Sequence, residues 1–150
     1  MEKVAILMGS SSDQPLLENC KKYLDAFGIQ YEEHILSAHR NPDAVTEFVK
    51  KAESTGFGVI IAAAGMAAHL PGVIAAHTVL PVIGVPIASG ALNGFDALLS
   101  IVQMPPGVPV ATVAIGGSVN AAVLAAEILA TKYPALRERL REFKAKGARL

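Results

Sequence analysis

Lys3-Val4-Ala5-Ile6-Leu7-Met8 runs straight into Gly9-Ser10-Ser11-Ser12-Asp13, and this stretch sets the fold. The mostly apolar run suits a buried strand. The Gly and Ser residues then turn the chain into a segment, Asp13 to Phe27, where Leu16, Leu17, Cys20, Leu24 and Phe27 recur on one helical face. Gly28 is placed to end that helix. A buried strand, a polar turn and an amphipathic helix are the opening of a parallel α/β unit.

The same sequence of signals repeats along the chain. Ile29 to Leu36 reads as a second strand, with charges that put it near an edge. Asn41 is placed to cap a helix that begins with Pro42, buries Val45, Phe48, Val49 and Ala52, and ends at Gly56. Val59 to Ala63, Val82 to Val85 and Val110 to Ile115 read as three further strands. Helices fill Pro71 to His77, Gly94 to Val102 and Val119 to Thr131. A last, highly charged helix from Pro134 to about Lys146 is expected to project outward or over a neighbour. Alternation with right-handed crossovers predicts an α/β fold. Its form is a three-layer α-β-α sandwich around a central parallel sheet, flavodoxin-like or Rossmann-like.

Composition narrows the function. The 150 residues suit one domain, and the formal net charge is zero. No basic block exists to neutralise phosphodiesters, there is no Trp, and 5% of residues are aromatic, so nucleic acid is not the expected partner. From Ser54 to Ala126 the only charged residue is Asp96. A monomer of this size would struggle to hide so long a charge-poor stretch, which predicts cover by other subunits. Pro71, Pro81, Pro86, Pro105, Pro106 and Pro109 break the stretch, so no membrane span is expected. The direct start at Glu2-Lys3 gives no sign of a signal peptide, and the single cysteine, Cys20, fits the cytoplasm.

Three loops at strand ends carry chemistry-bearing residues. Ser10, Ser12 and Asp13 offer hydroxyls, a helix start suited to a phosphate, and a carboxylate suited to a sugar hydroxyl. The same residue types also favour helix caps. Ser37-Ala38-His39-Arg40-Asn41-Pro42 puts a proton carrier beside an anion clamp. Ala62-Ala63-Ala64-Gly65-Met66-Ala67-Ala68-His69-Leu70-Pro71-Gly72 has small residues that let a flat ligand approach the backbone. There His69 is a second candidate proton or hydrogen-bond partner. His34 and His77 read as structural or interface residues, and Cys20 as a small core residue. No metal-ligand spacing, GxxxxGK[ST] loop or GxGxxG fingerprint occurs. The three loops together predict an enzyme acting on a phosphorylated small molecule.

These motifs resemble the PurE family. The resemblance rests on Met8-Gly9-Ser10-x-Ser12-Asp13, Ser37-Ala38-His39-Arg40-x-Pro42 and Ala67-Ala68-His69-Leu70-Pro71-Gly72. It continues through Leu80-Pro81-Val82-x-Gly84-Val85-Pro86, Ser100-Ile101-Val102-Gln103-Met104-Pro105 and Gly107-Val108-Pro109-Val110-Ala111-Thr112, across essentially the whole chain. It implies a single catalytic domain, 1–150, whose C-terminal helix (about 134–148) packs on neighbouring subunits of a cytoplasmic homo-octamer. The implied activity is conversion of 5-(carboxyamino)imidazole ribonucleotide into 4-carboxy-5-aminoimidazole ribonucleotide in purine biosynthesis. Carbon dioxide is then the enclosed intermediate, His39 the proton carrier, and no cofactor or metal is required. Ser10, Asp13 and Arg40 match the positions that bind the ribose phosphate, and Ser12 and Ser37 line the same site. Ala64, Gly65, His69 and Leu70 are assigned to substrate binding as well.

Two departures mark this chain. Met66 stands where the family's Ala-Gly-Ala-Gly-Gly pattern has a glycine, and Gly116-Gly117-Ser118-Val119-Asn120 is about two residues shorter than in many members. Two other readings compete with the mutase. One is a direct carboxylase that uses free carbon dioxide on aminoimidazole ribonucleotide, or a related domain acting on a pyridine nucleotide precursor. The other is a non-catalytic ribonucleotide-binding module.

Overall fold

The computed structural model describes residues 1–150. Five strands, β1 (Lys3–Met8), β2 (Tyr31–Ile35), β3 (Phe57–Gly65), β4 (Val82–Ile87) and β5 (Ala111–Thr112), form one sheet in the order β2-β1-β3-β4-β5. Every pairing is parallel. Six helices connect and follow them: α1 (Gln14–Phe27), α2 (Pro42–Ala52), α3 (Leu70–Ala75), α4 (Phe95–Val102), α5 (Ser118–Ala130) and α6 (Pro134–Ala145). The chain steps from β1 outward to β2, then crosses back over β1 to β3. With right-handed crossovers, reversing direction puts the next helix on the opposite face. The fold is flavodoxin-like, and β2 lies at an edge as its charges predicted.

Side-chain alternation builds the two halves of the core. In β1, Val4, Ile6 and Met8 face the layer of α1, α5 and α6, while Ala5 and Leu7 face the layer of α2, α3 and α4. In β3, Val59, Ile61 and Ala63 face the first layer, and Ile60, Ala62 and Ala64 the second. α1 buries Leu17, Cys20, Leu24 and Phe27, with Leu16 half-buried, and Gly28 ends it in the left-handed conformation at φ 68°. Burial and the nearby Glu33 carboxylate push the Cys20 thiol up to about 12, which fits a core residue and not a nucleophile.

Several boundaries differ from the sequence reading. β3 runs two residues further at each end and β4 two residues beyond Val85. Alanine and glycine are poor strand formers, but β3 is paired on both sides, and Gly65 still registers with Ile87. β5 is much shorter than Val110 to Ile115, because it sits at the open edge and leaves the ladder after Thr112. Asn41 precedes α2 but does not cap it with its side chain. α6 does not project away from its own chain: Leu136, Leu140 and Phe143 are buried. Phe143 meets Phe27 edge-on at 5.2 Å between ring centres, and Arg139 donates to Phe27 O at 2.5 Å. No helix is long and apolar enough to cross a membrane.

Candidate active site

Parallel strands point their carboxyl ends the same way, so the loops after β1, β2, β3 and β4 gather on one rim of the sheet. The chain reverses direction between β1 and β3, and such a switch point leaves a crevice at that rim. A cleft of about 480 Å³ occupies it. All ten residues singled out in the sequence line it: Ser10, Ser12, Asp13, Ser37, His39, Arg40, Ala64, Gly65, His69 and Leu70.

The loop after β1 is a single 3-10 turn, Ser11–Asp13. Ser10 Oγ accepts from Ser12 N at 3.3 Å and lies 2.9 Å from Ser12 Oγ. Ser10 therefore caps the turn and lines the cleft at once. Asp13 stands at the start of α1 but its side chain does not cap the helix, which leaves the carboxylate with acceptor capacity for a ligand. Partial burial in the cleft raises its pKa above the ordinary value, opposed by a backbone hydrogen bond from Ser10.

The loop after β2 is held by its own side chains. Asn41 Oδ1 accepts from Ser37 N at 2.6 Å, and Ser37 Oγ accepts from Arg40 N at 3.2 Å. Asn41 thus braces this loop from within instead of serving α2. The bracing fixes the backbone that presents His39 and Arg40. Arg40 is exposed and forms no ion pair within the chain, which leaves its planar fork available to an anion.

His39 reaches across to the loop after β3. Its Nε2 lies 2.7 Å from Nδ1 of His69, with the rings nearly perpendicular at 79°. One of these nitrogens donates and the other accepts, so the pair in this geometry never carries two facing protons. His69 precedes α3. Its own backbone N donates to Ala67 O at 2.8 Å, so the tight turn before the helix sets where its ring points.

Further residues line the cleft: Gly9, Ala38, Met66, Ala67 and Ser89. Ser89 was missed in the sequence because β4 was ended too early. A Ser-Gly pair at the end of an apolar strand was the available signal. Gly65 packs closely on Ser89: a Cβ at Gly65 would lie 2.4 Å from Ser89 Oγ and make that hydroxyl turn away.

With this geometry in view, the chain matches the family model described as AIR carboxylase over residues 3–149. The chain belongs to the AIR carboxylase family. It is 58% identical over 144 residues to the N5-carboxyaminoimidazole ribonucleotide mutase of Pyrococcus abyssi, covering 96% of this chain and 83% of that one. It is 50% identical to the enzyme of the same name from Escherichia coli, over 95% of this chain and 85% of that one. Among solved structures, Treponema denticola PurE superposes with a TM-score of 0.88 at 32% identity, over 97% of this chain and 90% of that one. Membership of the AIR carboxylase family agrees with the resemblance read from the motifs.

Proposed function

We propose that the chain converts 5-(carboxyamino)imidazole ribonucleotide into 4-carboxy-5-aminoimidazole ribonucleotide, as an intramolecular carboxyl transfer in purine synthesis. One observation carries the reading. The three motif loops close on a single cleft, with His39 hydrogen-bonded to His69 in its lining, in a chain at least half identical to relatives named as this mutase. Arg40 clamps the phosphate, with Ser10, Ser12 and Ser37 as additional partners, and Asp13 accepts from a ribose hydroxyl. Ala64, Gly65 and Leu70 form the wall against the flat ring.

The reaction balances within this set of groups. The carboxyl carbon leaves the exocyclic nitrogen as carbon dioxide, and His39 supplies the proton that nitrogen gains. The electron-rich aminoimidazole then attacks carbon dioxide through ring carbon four. The hydrogen on that carbon passes back to His39, so the enzyme ends as it began. His69, through its bond to His39, orients the ring that shuttles the proton. The enamine character of aminoimidazole drives the attack, so the chemistry asks for no cofactor. The protein's part is to hold the partners together and keep water out.

The full assembly we propose is a cytoplasmic homo-octamer. Support comes from α4 and the turn before it, where Leu92, Phe95, Leu99 and Val102 stand exposed in the charge-poor middle of the chain. The outer face of α6 is proposed to add to these subunit contacts.

The test is the initial rate at low bicarbonate with freshly made carboxyamino ribonucleotide, against the rate with aminoimidazole ribonucleotide. Rapid conversion of the former alone is expected. Turnover of the latter only, rising with bicarbonate, would mean a direct carboxylase. Tight binding of both without turnover would leave a ribonucleotide-binding module.

A further inference from the structure

Asn41 is tied to Ser37 from both directions. Its backbone N donates to Ser37 O at 3.0 Å, and its side-chain Oδ1 accepts from Ser37 N at 2.6 Å. Ser37 Oγ in turn accepts from Arg40 N at 3.2 Å. These hydrogen bonds close residues 37–41 into a small ring that carries His39 and Arg40. Both sides of the ring are anchored. Before it, Leu36 N donates to Met8 O at 2.9 Å, which extends the pairing of β2 with β1. After it, Pro42 opens α2 and keeps Asn41 out of the helical region, at φ -140° and ψ 60°. Asparagine before a helix ordinarily accepts from the first N–H groups of that helix. Here its oxygen reaches back to Ser37 instead, and α2 goes without a side-chain cap.

We propose that Asn41 is a positioning residue for the carboxyl transfer. Its side-chain oxygen, by holding Ser37 N, sets where the ring carries His39 against His69 and Arg40 at the cleft. The inference deepens the carboxyl-transfer reading above and rests on it for its kinetic test. Asn41 does not itself line the cleft, so it acts through the two residues that do. Both of them need the same backbone. His39 Nε2 meets His69 Nδ1 at 2.7 Å, a contact with little slack. Arg40 is exposed and without an ion pair, so its backbone is the fixed part of the clamp. Without the Asn41 oxygen, Ser37 N turns to water and the ring loses one of its closures. An imidazole on a looser backbone meets its partner in a smaller share of the population. Misplacing a reacting group by about 1 Å costs on the order of 100-fold in rate.

The test compares Asn41→Ala, which removes the oxygen, with Asn41→Asp, which keeps it. Asn41 is exposed, so truncation opens no cavity. Its amide nitrogen makes no hydrogen bond within the chain, so aspartate preserves the contact to Ser37 N. With carboxyamino ribonucleotide as substrate, Asn41→Ala should lower kcat about tenfold and raise KM several-fold. Asn41→Asp should recover most of kcat. A second readout needs no turnover. In chains with isotope-labelled imidazole nitrogens, the shifts of His39 Nε2 and His69 Nδ1 report whether the two are hydrogen-bonded, and His39→Asn assigns them. The bonded pattern should persist in Asn41→Asp and be lost in Asn41→Ala. If that pattern survives in Asn41→Ala, if Asn41→Ala leaves kcat and KM unchanged, or if Asn41→Asp loses as much kcat as Asn41→Ala, the proposal is wrong. A fall in kcat matched by a smaller folded fraction, with KM unchanged, would make Asn41 a merely structural residue and overturn it too. If the unsubstituted chain does not turn over the carboxyamino substrate, the carboxyl-transfer reading fails, while the imidazole shifts still decide whether Asn41 positions His39.

Discussion

At the scale of single residues, the cleft divides its polar groups into those that hold the backbone and those left free. Asn41 Oδ1 is spent on bracing its own loop and Ser37 Oγ accepts there while keeping its O–H to donate, whereas Arg40, Asp13 and the His39–His69 pair keep capacity for a ligand. His39→Asn should therefore lower turnover by about 10²–10⁴-fold, the usual worth of a positioned proton carrier. Substrate affinity, measured by calorimetry, should change little; loss of binding in step with turnover would give His39 a binding role instead. Asp13 gives a prediction about stability. Burial favours its neutral form, so the folded chain binds that proton more tightly than the unfolded chain does. The raised pKa means stability is lost as pH rises from the ordinary carboxylate value through the folded one. Asp13→Asn removes that loss, so at neutral pH the variant should melt at or above the unsubstituted chain while binding substrate less well. A clearly lower melting temperature at pH 7 would show that the carboxylate is stabilised in the fold.

Elements place these residues by packing at close range. β4 is fully buried, and Gly84 at its middle lies under α4. A Cβ there would come within 2.3 Å of Ile101 Cγ2 and 3.0 Å of Val110 Cγ1. Ile101 is itself fully buried and has nowhere to move. Gly84→Ala should cost about 1–3 kcal/mol by overpacking, measured by denaturant unfolding; a neutral effect would mean that α4 can shift outward on the sheet. Element boundaries were legible where composition and pairing agreed. β1 and α1 read correctly because an apolar run and a helical stripe met a glycine stop. The ends of β3 and β4 did not, because Ala62-Ala63-Ala64-Gly65 carries little strand propensity and its last two residues are held in the sheet by pairing with Pro86 and Ile87 of β4. That shortfall also hid Ser89, two residues beyond the end of β4.

Across the whole molecule, distant segments are tied together by a few polar clamps. Glu2 at the start of β1 pairs with Lys132 and with the Tyr133 hydroxyl, in the link between α5 and α6. These two hydrogen bonds pull the Glu2 carboxyl down to about 2, from 4.5. A lowered carboxylate pKa stabilises the fold above the unfolded value, and the gain fades as pH falls through the folded one. Glu2→Gln should lower stability at neutral pH by less than about 1 kcal/mol, since the pair is partly exposed and screened. The difference should vanish as pH falls from about 4.5 to about 2. A difference that stays constant across that window would assign the effect to packing instead of charge. At the same scale, the charge density of α6 points to a helix that projects outward or over a neighbour. Leu136, Leu140 and Phe143 instead seat it on α1 and α5, because an apolar stripe need only be three residues wide to find a partner.

The sequence by itself determined the parallel α/β order, the edge position of β2 and the three strand-end loops that carry the cleft, because each depends on local signals: hydrophobic period, glycine stops and polar loops at strand ends; the ten residues within those loops were picked out with the help of the family resemblance. Only the tertiary structure decided that His39 Nε2 meets His69 Nδ1, that Asn41 braces its loop rather than a helix, and that Met66 lies against Gly90. These relations join residues on different loops, or choose among several partners for one side chain. Their distances are set by the register of strands and the packing of two helical layers, which no local pattern encodes.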